Sequence, residues 1–170
     1  MTRPARDDSP GNEIERIGQL YDRFAAPLYR YAVVILADRA AAADAVQQVF
    51  VTLLRGRGAE RRSDATYLRR AVRNECYSML RRRRRDLLSP TDSPILEAVA
   101  ADEDRPDERL AIEQAMRTLP PEQREVVYLK AFEGMTLQEI ADGTGESINT
   151  VASRHRYAME KLRLRLSSSE

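Results

Sequence analysis

Apolar residues recur at steps of three and four along most of the chain, and no stretch alternates as a strand would, so the pattern predicts an all-α fold. Between Ile14 and Leu36 the periodic set is Ile17, Leu20, Tyr21, Phe24, Leu28, Tyr31 and Ile35, and Pro27 inside it should break or kink the helix. A second helix is expected over roughly Ala40 to Leu54, burying Ala42, Val46, Val49, Phe50 and Leu53 while Asp44, Gln47, Gln48 and Val51 face away. Arg55 to Ser63, with two glycines and four arginines, reads as a loop. A third helix, roughly Asp64 to Arg84, directs Leu68, Val72, Met79 and Leu80 to a core and leaves Arg69, Arg70, Arg73, Asn74, Tyr77, Ser78 and Arg81 on its other side.

The periodicity then lapses among acidic residues with Pro90, Pro94 and Pro106, and it resumes at Asp107. That lapse divides the chain into a disordered tail (1–11), a helical domain (12–85), a flexible acidic linker (86–107) and a second helical domain (108–170). In the second domain a helix runs to Leu119 and stops at Pro120-Pro121, the second proline suiting the first turn of the next helix. That helix carries Val126, Val127, Leu129 and Phe132 and should end at Gly134.

Thr136-Leu-Gln-Glu139 is a capping box opening a short helix that Gly143 and Gly145 should end, and Ser147 caps a long final helix. A short helix, a glycine turn and a longer helix form the helix-turn-helix pattern, whose second helix enters the major groove. On that helix Ile148, Val151, Ala152, Ala158, Met159, Leu162 and Leu166 cluster around the direction of His155, which should therefore face the core. The opposite side offers Asn149, Thr150, Ser153, Tyr157 and Glu160 with Arg154 and Arg156 on its flanks; Asn, Ser and Arg can bond base edges, and flanking arginines can grip phosphates.

The net charge is only +1, but it is unevenly spread. Residues 51–85 hold twelve arginines against Glu60, Asp64 and Glu75; residues 86–109 hold eight acidic residues against Arg105 and Arg109; residues 149–166 hold five basic residues against Glu160. Two basic segments around an acidic spacer suggest two contacts with a polyanion. Arginines beside Tyr67 and Tyr77 are also the chemistry that holds an unstacked single strand. One cysteine (Cys76) and one histidine (His155) cannot build a disulfide, a usual zinc site or a catalytic triad, and no cofactor is expected. No apolar run approaches the ~18 residues a membrane helix needs, and the start carries no secretory pattern, so a cytoplasmic home is expected.

Five segments in register resemble the extracytoplasmic-function (ECF) group of sigma factors of bacterial RNA polymerase: LYDRFAAPLYRYA at 20–32, ADAVQQVF at 43–50, YLRRAVRNECYSMLRRRRR at 67–85, LPPEQREVVYLKAFEGMTLQEIA at 119–141 and NTVASRHRYAMEKLR at 149–163. The resemblance implies a non-enzymatic protein that binds core RNA polymerase and promoter DNA, and it implies an anti-sigma partner. It places Asp44, Gln47 and Gln48 on the β′ clamp helices, and Arg61, Arg62, Tyr67, Arg70, Arg73, Asn74 and Tyr77 on the minus-ten element. Asn149, Thr150, Ser153, Arg154, Arg156 and Tyr157 fall on the minus-thirty-five element, in a domain that also docks on the β flap. Gln48 stands where the family most often has Glu, Tyr67 where it has Trp, and Ala152 where Lys or Arg is frequent. A free-standing helix-turn-helix regulator would leave the clamp-like helix and the Asn74 helix unexplained, and a sigma mimic that titrates an inhibitor would need neither the arginine loop nor a base-reading helix.

Overall fold

The computed structural model describes residues 10–55, 64–88 and 107–167. All seven elements among them are helices: α1 (Pro10–Leu36), α2 (Arg39–Arg55), α3 (Ala65–Leu88), α4 (Asp107–Arg117), α5 (Pro121–Ala131), α6 (Leu137–Thr144) and α7 (Ile148–Ser167). The first three pack on one another and the last four form a second assembly around α7.

The first assembly depends on small residues and on caps. Ala41, Ala42 and Ala45 are buried on α2 and let it lie close against α1, while Leu68, Val72 and Cys76 close the core from α3. The elbow between α1 and α2 turns on Ala37, whose φ of 52° is left-handed. Asp38 then caps α2 by accepting from the Ala41 backbone N–H (2.9 Å), and its other oxygen accepts from Arg83 (2.8 Å). Asp64 does the same for α3, accepting from the Tyr67 N–H at 2.6 Å. In the second assembly Ala115, Leu119, Val127, Ala158 and Leu162 form a small core where α4, α5 and α7 meet.

The two assemblies are not separate bodies. Val126, Leu129, Ile140, Ala141 and Val151 are buried in one continuous cluster with the α1–α3 core, and α5 lies along α1. Arg124 (6% exposed) and Glu125 (1% exposed) enter that interface side by side.

Several expectations need correction. Pro27 does not end α1, which runs as one 27-residue helix and starts at Pro10, two residues inside the expected tail. The end of α3 is Leu88 rather than Arg84, so the helix extends into the expected linker. Phe132 lies outside α5 and is 68% exposed, stacked on Tyr128 at 5.7 Å between ring centres instead of entering the core. Ile148, Met159 and Leu166 are exposed on α7 and His155 is only half-buried, because full burial on this helix is confined to the narrower stripe of Val151, Ala158 and Leu162. Gly143 sits within α6, and Gly145 alone makes its left-handed end. The tail at 1–9, the loop at 56–63 and the linker at 89–106 lie outside the described residues.

Candidate nucleic-acid interface

The helix-turn-helix is fixed by local chemistry. Thr136 Oγ1 accepts from the Glu139 N–H (3.1 Å), and Glu139 Oε2 accepts from the Thr136 N–H (2.7 Å) and hydroxyl (2.8 Å). Those bonds, the backbone one first, hold the Glu139 carboxyl below its ordinary range. At the other end Gly145 (φ 73°) closes α6, its N–H reaching the Ala141 carbonyl at 2.9 Å. Ser147 Oγ accepts from the Thr150 N–H at 3.1 Å and starts α7.

The six candidates on α7 divide into two kinds. Asn149, Arg156 and Tyr157 are exposed, and the Arg156 guanidinium lies over the Tyr157 ring at 5.0 Å. Half-buried Ser153 makes no side-chain hydrogen bond among the described residues. Thr150 and Arg154 are already engaged. The Thr150 hydroxyl shares a hydrogen with Ser147 (2.8 Å), and Arg154 donates to Glu146 in the turn at 3.1 Å. His155 titrates below its ordinary value because burial and the neighbouring charge of Lys130 both disfavour the imidazolium.

On α3 the candidates also separate. Tyr67 and Asn74 line a cleft of about 210 Å³ between α2 and α3, together with Gln48, Thr52 and Ala71. Gln48, expected to face polymerase, therefore shares a wall with two residues expected to face DNA. Arg70 is exposed and lines a separate cleft between α3 and α6, and Asp44 and Gln47 are exposed on α2. Arg73 and Tyr77 point elsewhere, toward α5. Arg73 Nε donates to Glu125 Oε1 (2.8 Å), Tyr77 donates to Glu125 Oε2 (2.7 Å), and the Arg73 guanidinium stacks 4.7 Å from the Tyr77 ring. Burial would lower the Arg73 pKa, but the facing Glu125 charge outweighs it and the net direction is up. Burial, reinforced by Glu125, pushes both Tyr77 and Tyr31 above the ordinary phenol value, so both remain donors. Arg61 and Arg62 lie outside the described residues.

Sequence reasoning put Arg69 on the outer side of α3 but gave it no role, whereas it pairs with Glu133 at 3.1 Å, and it missed Arg124 and Glu125. The available signal was a pair of opposite charges directly preceding the apolar residues of α5, a pattern that normally marks a solvated face. No group of three His, Cys, Asp or Glu side chains among the described residues could hold a metal ion.

Residues 20–86 match the model of Sigma-70 region 2, and residues 109–162 match that of Sigma-70, region 4. The ECF RNA polymerase sigma factor SigL of Mycobacterium tuberculosis is 34% identical over 160 residues, covering 86% of each chain. SigM of the same organism is 30% identical over 148 residues, covering 85% of this chain and 74% of SigM. Among solved structures, the sigma factor RpoE of Bartonella quintana, in complex with the anti-sigma factor NepR, has a TM-score of 0.69 at 23% identity, covering 90% of this chain and 98% of RpoE. CnrH, in complex with the cytosolic domain of CnrY, has a TM-score of 0.63 at 23% identity, covering 95% and 94%. Both structures share the fold.

Proposed function

The chain belongs to the ECF group of RNA polymerase sigma factors, alternative sigma factors that direct promoter-specific transcription initiation, and from that membership we propose how its residues divide the work. Asp44, Gln47 and Gln48 on α2 meet the β′ clamp helices of core polymerase, and the α4–α7 domain rests on the β flap. Tyr67, Arg70 and Asn74, with Arg61, Arg62, Arg73 and Tyr77, hold the separated strand of the minus-ten element. An aromatic face and an amide in one cleft suit a base that has left the stack, and the arginines suit its phosphates. On α7, Asn149, Ser153, Arg156 and Tyr157 read the minus-thirty-five element, while Thr150 and Arg154 shape the start of the helix. The α1–α3 and α4–α7 assemblies are then the two promoter-reading units, and the chain between Leu88 and Asp107 spaces them.

The observation that carries this reading is the presence in one chain of a Tyr67–Asn74 cleft and a capped helix-turn-helix. A free-standing regulator needs only the second. The protein acts by binding, without cofactor or metal. No described helix is long and apolar enough to cross a membrane, and work on the polymerase belongs in the cytoplasm. An anti-sigma partner is supported by the bound state in which the Bartonella RpoE was solved.

The test is transcription with core polymerase and a randomised promoter library, followed by sequencing of the transcribed templates. Two selected elements at fixed spacing are expected only when polymerase is present. Tight, specific binding of one element by the protein alone would overturn the reading in favour of a repressor or activator.

A further inference from the structure

Glu125 is an acidic side chain at 1% exposure, and an unpaired charge at that depth would be costly. It is paired three times over. Tyr31 and Tyr77 donate their hydroxyls to it, and Arg73 donates Nε at 2.8 Å. All three donors belong to α1 or α3, so this α5 residue is held entirely by side chains of the opposite domain that donate to it. Its neighbour Arg124 repeats the arrangement, Nη2 donating at 2.8 Å to the Ile35 carbonyl, one of the last carbonyls of α1, which α1 itself leaves without a partner. Further along the seam Arg69 of α3 pairs with Glu133 at 3.1 Å and touches Met135 Sδ at 3.4 Å.

We propose that this seam is a clasp, with Glu125 its central fastening, that holds the free chain closed and masks Arg73 and Tyr77 from DNA. The inference rests on the assignment of α3 to the minus-ten element. With the Arg73 side chain only 15% exposed and the one Tyr77 O–H given to Glu125, the closed state leaves little of either for a nucleic acid, so closed and DNA-bound states compete. Charged groups suit such a joint because separation returns them to water, where their hydration replaces the lost pairs. The adjoining apolar contacts of Val126 and Leu129 supply the cohesion, and Glu125 supplies the register. Opening then requires a partner that binds the separated domains better than the closed pair, a role that core polymerase fits by offering two docking places at a fixed distance.

The full chain, Glu125→Gln and Tyr31→Phe are compared by small-angle X-ray scattering and by binding of a short fluorescent single-stranded oligonucleotide, with circular dichroism melting to follow the fold. Glu125→Gln removes the charge at almost constant shape; Tyr31→Phe removes one hydroxyl and leaves the ring packed. Glu125→Gln is expected to enlarge the radius of gyration and to tighten oligonucleotide binding about tenfold, since apparent affinity scales with the open fraction. Tyr31→Phe should move both readouts the same way by less. Unchanged dimensions in two folded variants would overturn the clasp whatever α3 reads. Enlarged dimensions with unchanged oligonucleotide affinity would overturn the masking, and with it the assignment of α3.

Discussion

Replacing Arg156 with alanine removes two interactions at once, and the structure allows them to be separated. The first is the stack on Tyr157, 5.0 Å from guanidinium to ring centre on an exposed face, worth about 0.5–1 kcal/mol. Its loss loosens the side chains locally and acts equally on every promoter. The second, if Arg156 reaches a guanine with both nitrogens, is worth about 1–3 kcal/mol at one base pair. That is roughly five- to 150-fold, and it acts only on promoters carrying that base. The larger effect should dominate, so preference at one position of the minus-thirty-five element should collapse while overall activity falls modestly. Arg163, exposed two turns further along α7, is the comparison: Arg163→Ala should weaken all promoters alike and reduce the salt dependence, as loss of a phosphate contact does. The measurement is transcription by reconstituted holoenzyme from a library of minus-thirty-five variants at two salt concentrations. If both variants lose activity evenly across the library and keep the same preference, Arg156 is not a base reader, and the orientation assigned to α7 is refuted.

The two glycines near the turn should respond with opposite signs: Gly145→Ala, forced to hold φ 73°, should cost about 1–2 kcal/mol, whereas Gly143→Ala, inside α6 with only Met135 Cε at 4.0 Å, should gain about 0.5–1 kcal/mol, both read by thermal melting. Cys76, its thiol pushed up to about 12 by burial and the nearby charges of Glu75 and Glu125, should react with a thiol reagent only as the chain unfolds, and rapid labelling under native conditions would contradict its burial. Asp38, whose carboxyl is held down by the Ala41 N–H and by Arg83 against the opposing effect of partial burial, contributes stability above the ordinary carboxylate value of about 3.9 and loses it as pH falls through its lower folded value. The melting difference between wild type and Asp38→Asn should therefore be present at neutral pH and close in acid; a difference independent of pH would show that the charge plays no part.

What could be read from the sequence was what the chain decides locally. The Thr136–Glu139 capping box spans four residues, the Pro120-Pro121 boundary one step, and the inward positions of α2 follow from a single helical period; all three appear in the structure as expected. What could not be read involves distant residues. Glu125 meets Tyr31, Arg73 and Tyr77 across 94, 52 and 48 residues of chain, and nothing nearby in the sequence distinguishes it from a surface glutamate. Arg154 could be placed on a flank of the polar face of α7, but its ion pair with Glu146, eight residues earlier, arises only when the glycine turn folds back. Phe132 failed for the opposite reason: its hydrophobicity suggested a core, while a stack on Tyr128 gives it a place at the surface.

The 27 residues of α1 form a rod of about 40 Å that touches α2, α3 and α5 along its length. Because each residue turns a helix by about 100°, one residue inserted between Phe24 and Tyr31 would swing everything after it away from its partners. Tyr31 would lose Glu125 and the Ile35 carbonyl would lose Arg124, while Ile17 and Leu20 stayed seated. Changes in chain length that a surface loop would absorb are therefore excluded here, and related chains keeping the same joint should differ in α1 by substitution and almost never by insertion or deletion.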